Sequence, residues 1–260
     1  QNQALTVIQQ DVIADDLSLF QNDRNDNDGD NKENTVQIDY VHPFTKNVKI
    51  ELGAKAILRN VVSDFSYDTL NINSNQYNTD QSRSDIFYYD QNVISSYVSS
   101  RINFGENYGL IAGVRYEHTD IQGDFNVEEN TFENSYDNWL PSVTLSRKIG
   151  KTSNVKASYS RRIQRPSLRV INPYVQFDNN RSVSFGNPEL SPELTDQYEV
   201  SYGTFVKAFS INASFFYRIT SGIIESFLDI NTEGVASTTF RNIGENQSYG
   251  VNLFSSVNLL

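Results

Sequence analysis

Apolar and polar residues alternate over much of this chain. In residues 48–58 (VKIELGAKAIL), Val48, Ile50, Leu52, Ala54 and Ala56 share one side of an extended backbone, while Lys49, Glu51, Gly53 and Lys55 share the other. Residues 108–119 (YGLIAGVRYEHT) set Tyr108, Leu110, Ala112, Val114 and Tyr116 against Gly109, Gly113, Arg115 and Glu117. Val155, Ala157 and Tyr159 oppose Lys156, Ser158, Ser160 and Arg162; Phe209, Ile211, Ala213, Phe215 and Tyr217 oppose Ser210, Asn212, Ser214 and Arg218. Val251, Leu253 and Val257 continue the pattern near the end. Side chains on a strand change sides at every residue, so period two predicts strands with one apolar face.

Two kinds of connection are predicted between these strands. Short ones fall at 42–47 (HPFTKN), 104–109 (FGENYG), 148–154 (KIGKTSN) and 204–209 (TFVKAF). Long polar ones fall at 21–34, 69–84, 126–136 and 169–193. Short and long alternate, which predicts about ten antiparallel strands, several of them longer than the ~5–6 residues usual in soluble sheets.

Composition narrows the class. A length of 260 residues fits one large all-β domain or two smaller ones. Only 38% of the chain is hydrophobic, but aromatics reach 12%, more than a disordered chain carries, so the chain folds around thinly spread apolar surface. A net charge of -11 excludes a nucleic-acid partner, which needs an excess of Lys and Arg. Without cysteine there is no disulfide, thiolate metal site or thiol chemistry. No apolar run reaches the ~18 residues of a membrane-spanning helix. There is no methionine and no signal-peptide pattern, so the chain is expected to begin after processing or inside a longer protein.

Two architectures use such strands. A soluble sandwich buries two apolar faces against each other. An antiparallel up-and-down transmembrane β-barrel turns its apolar face to lipid and its polar face to a lumen, with short turns at one end and long loops at the other. The alternating connection lengths favour the barrel, as do Lys, Glu and Arg at mid-strand. Tyr40, Phe44, Phe104, Tyr108, Phe205 and Phe209 gather beside the short turns as an aromatic girdle would.

Residues 159–202 carry a more specific signal. YSRRIQRPSL rises to a long loop, and GNPELSPELTDQYEVSY leaves it for the next strand. This resembles the β-barrel region of TonB-dependent outer-membrane receptors, in particular the Bacteroidota outer-membrane β-barrel family. The matching positions are Arg165, Pro166, Asn172, Pro173, Tyr174, Gly186, Asn187, Pro188, Leu190, Pro192, Glu193, Tyr198 and Glu199, with Gly113, Arg115, Tyr116, Glu117 and Thr119 in a second strand. The resemblance implies a bacterial outer-membrane location and binding of a scarce small nutrient (a siderophore, a glycan or similar) at the outer loops. It also implies a plug domain in the lumen and a TonB-type complex that displaces the plug. Such receptors have about twenty-two strands, so residues 1–260 are expected to be part of one barrel domain, without the plug. The terminal SSVNLL also lacks the final aromatic usual in such barrels.

The motif has a mechanical account as well. Each proline fixes its own φ and biases its predecessor towards extended backbone, so Asn187-Pro188 and Ser191-Pro192 stiffen the re-entry. These residues are read as architecture. Ligand contact is assigned instead to aromatics of the long loops: Tyr77, Tyr89, Trp139, Tyr174 and Phe177.

Other chemistry is weaker. NDRNDNDGDNKEN (22–34) puts Asp26, Asp28 and Asp30 at alternate positions, but calcium-loop spacing would place Arg24 and Thr35 where carboxylates are needed. A solvated hairpin tip is the expectation there. His42 and His118 have no evident partners, so no metal site is assigned. Glu51, Glu117 and Glu199 are read as lumen charges rather than a glycosidase pair. No catalytic residue and no cofactor are expected. Two alternatives stay open: a structural or adhesive barrel without transport, and a soluble carbohydrate-binding β-sandwich.

Overall fold

The computed structural model describes residues 23–71, 73–126, 131–179, 182–232 and 234–257. Every alternating segment named above is a strand. In chain order they are β1 (Asp23–Pro43), β2 (Val48–Asn71), β3 (Gln76–Thr79), β4 (Asp85–Phe104), β5 (Tyr108–Phe125), β6 (Phe132–Ile149) and β7 (Ser153–Gln164). A single helical turn, α1 (Leu168–Ile171), precedes β8 (Gln176–Asn179), β9 (Ser182–Ser184), β10 (Glu193–Val206), β11 (Phe209–Ser221), β12 (Ile224–Ile230), β13 (Ala236–Asn242) and β14 (Glu245–Val257).

Ten strands form one sheet in the order β1-β2-β4-β5-β6-β7-β10-β11-β14, with β3 folded back on β2. Pairing is antiparallel between β6 and β7, β7 and β10, β10 and β11, and β11 and β14. The short connections lie where alternation ended. Between β1 and β2, Asn47 N and Val48 N both donate to Thr45 Oγ1, at 3.2 and 3.1 Å. Gly105 and Gly150 turn the next two with φ of +60° and +62°, a conformation glycine adopts without a Cβ clash.

The long connections depart from expectation, because much of what reads as polar loop is strand. Residues 23–34 belong to β1, which replaces the expected hairpin tip. The polar side chains there bond across to β2. Ser63 Oγ donates to Asn27 Oδ1 at 2.9 Å, Arg59 Nε to Asn31 Oδ1 at 3.1 Å, and Arg24 Nε to Asp68 Oδ2 at 3.0 Å. Thr79 Oγ1 also donates to Asp68, at 2.8 Å, and ties β3 down. A paired neighbour thus overrides weak strand propensity. On an extended strand Asp26, Asp28 and Asp30 sit about 6.6 Å apart in a row and cannot ring a cation. Of the predicted loops, residues 21–22, 72, 127–130 and 180–181 lie outside the described residues.

A second sheet of order β12-β13-β9-β8 joins residues 176–179 and 182–184 to the connection after β11. Its central pair is parallel, with Ala236, Ser237 and Thr238 opposite Ser182, Val183 and Ser184. The hairpin β12–β13 turns through Asn231, whose carbonyl accepts Gly234 N at 3.0 Å, whose N–H donates to Val235 O at 3.0 Å and whose Oδ1 accepts Val235 N at 2.9 Å.

Two compact units divide the chain, each with its own facing rule. The first holds the described residues up to Asn34 and those within Ile57–Asn92 and Asp120–Glu133. Here the buried apolar side chains of β2, β4 and β5 all stand at odd positions: Val61, Phe65, Phe87, Tyr89, Ile121 and Phe125. Phe87 anchors this cluster, with ring centroids 4.8 Å from Phe125, 6.3 Å from Tyr89 and 6.3 Å from Phe132. The even positions are more polar, with Asp64, Asp90, Asn92, Asp120, Gln122 and Asp124, and the apolar Leu58, Val62 and Tyr88 among them are exposed.

The second unit holds Thr35–Ala56, Val93–Thr119 and the described residues from Asn134 on. Here the apolar face is exposed. Val143, Leu145, Val200 and Phe215 stand out from it, as do Val251 and Leu253 at 71% and 74% exposure. A sandwich would cover these side chains, so the sandwich alternative is overturned. On this face Tyr159, Tyr198, Tyr217 and Tyr249 form one row across β7, β10, β11 and β14. Ring centroids are 5.1 Å apart for the first pair and 6.4 Å for the second. Tyr159 and Tyr217 send their hydroxyls in one direction along the strands, to Asp196 Oδ1 at 2.7 Å and Gln247 Oε1 at 2.9 Å. The six aromatics beside the short turns are all exposed as well, although Phe205, opposite Ser210, stands on the polar side of its strand. From Phe209 in that group to Tyr217 in the row is about 26 Å of strand at ~3.3 Å per residue, which a tilt of ~40° turns into about 20 Å of height, most of the ~25 Å apolar band of a membrane barrel.

Candidate functional site: the polar face and the loop clasp

The polar face of the second unit is lined by small residues. On β5, β6, β10 and β11 it carries Gly109, Gly113, Ser142, Ser146, Ser201, Gly203, Ser210 and Ser214. A Cβ on Gly203 would come within 2.6 Å of Asn154 Oδ1 and 2.7 Å of Asn212 Oδ1, so the polar side chains beside it lie low over the backbone. Charges rise between the small residues. Lys49 Nζ pairs with Glu51 Oε1 at 3.1 Å. Glu117, almost fully buried, binds Arg165 tightly and has Arg115 at 3.7 Å. Glu199 accepts from Gln197 Nε2 at 3.1 Å. All three glutamates thus lie on the polar face, as predicted.

The motif residues form a clasp between connections. Pro166 ends β7, and α1 follows within two residues. Gly186 N donates to Asn172 O at 2.8 Å, and Asn187 N to Val170 O at 2.7 Å. A Cβ on Gly186 would lie 2.5 Å from Asn172 O, so only glycine permits this backbone approach. Asn187 Nδ2 donates to Phe240 O at 2.9 Å, which ties the motif to β13. Leu190 and Ile171 are buried at 1% exposure each. Asn134 Nδ2 donates to Pro188 O at 2.8 Å and Leu190 O at 3.1 Å from the start of β6. Asn172 Oδ1 accepts Tyr174 N at 3.0 Å. Ser191 N donates to Asn242 Oδ1, and Asn242 Nδ2 returns to Ser191 O and Gly222 O at 2.8 and 2.7 Å. Glu193 Oε1 accepts Ile224 N at 2.8 Å. Pro188 and Pro192 precede β10 and need no ladder donor there. Tyr198 and Glu199 begin the wall: the tyrosine joins the aromatic row, and the glutamate faces the other way.

The five candidate ligand aromatics sit in different settings. Tyr77 is exposed on β3 with the Arg24 guanidinium 5.1 Å over its ring. Tyr89 is 1% exposed inside the Phe87 cluster. Trp139 is on the apolar face of β6, 62% exposed, with its ring 5.0 Å from Tyr116. Tyr174 is half-buried between α1 and β8. The side chain of Phe177 lies outside the described residues.

Sequence reasoning missed three features. His118 has an acidic partner after all, because Asp137 Oδ1 lies 2.8 Å from its Nδ1 and also accepts Tyr116 Oη at 2.5 Å. Arg161 forks onto Asp196 through bonds of 2.9 and 2.8 Å. Neither pair shares a local motif, so only strand register reveals them. The β12–β13 hairpin did have a signal, a Gly-containing turn between two β-rich runs (IESFLDINTEGVASTTFRN).

The fold matches solved outer-membrane transport proteins. The copper transporter OprC superposes with a TM-score of 0.67 at 14% identity, over 91% of this chain and 37% of that one. The ferric preacinetobactin receptor BauA of Acinetobacter baumannii gives 0.57 at 17% identity, over 92% and 35%. The ferric citrate transporter FecA gives 0.59 at 12%, over 90% and 33%. The chain therefore spans about a third of the length of these proteins. No curated protein matches its sequence. The family model described as the outer membrane protein beta-barrel family matches residues 1–260. With its apolar face exposed between two aromatic belts, the chain belongs to that family and is an antiparallel β-barrel protein of the bacterial outer membrane.

Proposed function

We propose that the chain forms wall and outer loops of a TonB-dependent receptor that captures a scarce nutrient and passes it through the barrel. The carrying observation is the polar face of the second unit, where serines and glycines keep side chains close to the backbone. Small barrels fill their interior with their own bulky side chains. A low, polar, charged wall suits a lumen filled by something else, namely a plug and a passing solute. Residues 1–260 serve as part of one barrel domain; the plug and the rest of the barrel come from other sequence. Further partners are outer-membrane lipid, a TonB-type energy-coupling complex and a small nutrient ligand. The copper, ferric citrate and ferric preacinetobactin specificities of similar folds favour a metal or metal chelate as cargo. The motif residues act as architecture, holding two connections in one arrangement, and none is catalytic. Of the aromatics, exposed Tyr77 and half-buried Tyr174 suit ligand contact best.

The test is uptake in cells. Deleting the gene should abolish growth on at least one limiting nutrient in a panel of metal chelates, glycans and vitamins. An intact copy should restore that growth only when the energy-coupling protein is present. Equal complementation without that protein would sink the reading and leave a passive or structural barrel.

A further inference from the structure

On the polar face of the second unit, β4, β5, β6 and β7 border a groove of about 520 Å³. Its lining departs from the chain average. The protein carries 32 acidic and 21 basic residues, yet Arg115, Arg161 and Arg162 border the groove and no carboxylate does. Arg161 is in phase with Tyr159, so its side chain lies on the apolar face, where it forks onto Asp196. Arg115 and Arg162 are the two on the polar face. Arg115 lies 3.7 Å from Glu117, beyond hydrogen-bond reach, and Glu117 is already taken by Arg165. Arg162 has no carboxylate partner among the described residues. Its pairing opposite Thr195, which bonds Thr220 across the next ladder, puts it on the polar face.

The rest of the lining fits a polar guest. Ser99 and Ser142 bring hydroxyls, and Leu140 gives an apolar floor. A Cβ on Gly113 would lie 2.8 Å from Ser99 Cβ, so glycine there lets β4 and β5 side chains sit low beside the groove. Guanidinium forks match carboxylates in shape and charge, and a concave site of this volume suits a small molecule.

We infer that this groove binds a small polycarboxylate, with Arg162 and Arg115 each taking one carboxylate and the serine hydroxyls donating to the remaining oxygens. The inference names a substrate class for the proposed receptor and rests on that reading only for what happens after binding. A carboxylate from another part of the polypeptide has the same chemistry, and the test separates the two sources.

The full-length protein in detergent is dialysed against radiolabelled citrate at low ionic strength. Saturable binding is expected, competed by tricarballylate and not by neutral trimethyl citrate. Arg162→Gln should weaken binding by about tenfold or more, and Arg162→Glu should abolish it. Arg101→Gln, on the same strand face as Ser99 but outside the groove, should change it by less than about twofold. Absent citrate binding in the unaltered protein, or equal binding by Arg162→Gln, overturns the inference. Absent binding together with a lowered unfolding temperature in Arg162→Gln assigns the groove to a carboxylate of the polypeptide. Citrate that binds but is never taken up by energised cells counts against the receptor reading and leaves the groove standing.

Discussion

The first and second units share β1, β2, β4 and β5, and along β4 and β5 they obey opposite rules. In the second unit, even positions of β4 and β5 such as Ile94, Val98, Leu110 and Val114 make the apolar face, and most odd positions, such as Ser95, Ser99, Arg101, Gly109, Gly113, Arg115 and Glu117, are small or charged. In the first unit the odd positions carry the apolar side chains, Phe87, Tyr89, Ile121 and Phe125, and bury them. Period two holds throughout; what changes is which phase is apolar. Lipid rewards apolar side chains that stay exposed, whereas water rewards those packed on one another. The phase change therefore marks, within each strand, the end of the segment suited to lipid.

Four substitutions test this contrast. The largest effect should come from Phe87→Ala, which removes the ring at the centre of the first unit's cluster. A loss of about 3–5 kcal/mol is expected from equilibrium unfolding in detergent. If it costs no more than truncation of exposed Val251, the first unit has no core. Ala213→Arg should cost about 2–4 kcal/mol if that position lies at the bilayer midplane, because it puts a charge on the lipid face between Tyr202 and Leu253. The neighbouring Ser214→Arg faces the lumen and should be close to neutral; equal costs would reverse the assignment of faces. Gly186→Ala drives a Cβ onto Asn172 O and should cost about 1–3 kcal/mol. Limited proteolysis within 167–192 should speed up while the strands stay protected. An unchanged digestion pattern would show that the clasp does not hold these connections.

The smallest effect concerns Asp80, in the turn after β3. Bonds from Ser82 Oγ and Ser82 N to its carboxylate hold its pKa below the ordinary value. A carboxyl with a lowered folded pKa stabilises the turn above its unfolded pKa of ~3.9 and loses that contribution as pH falls through the folded value. The protection factor of the Ser82 amide, which divides out the intrinsic pH dependence of exchange, should therefore fall only in acid and stay flat from neutral pH down to the ordinary carboxylate range. Protection already lost near neutrality would contradict the bonded carboxylate.

Much of this was legible in the sequence. Alternation located the wall strands, because a one-residue slip would put every charge of a strand into lipid. The prolines and Gly186 located the clasp, because each imposes a backbone constraint of its own. Legibility failed where partners decide. Asp26, Asp28 and Asp30 read as a loop because propensity does not register that β2 extends far enough to pair with them. Tyr89 and Trp139 look alike as loop-proximal aromatics, yet strand phase buries one in a core and turns the other to the apolar face. The groove at Arg162 could not be read at all, since its lining comes from four strands distant in sequence.

The parallel pairing of β9 with β13 has a consequence for how such a protein can diversify. Two connections that share a sheet, and are stitched again through Asn187 and Asn242, cannot be exchanged one at a time. A foreign insert in either one must reproduce the register of the other or strand its backbone donors. New specificity at this rim is expected to arrive as a matched pair of loop changes, and engineering that swaps a single loop should fail in assembly before binding can be tested.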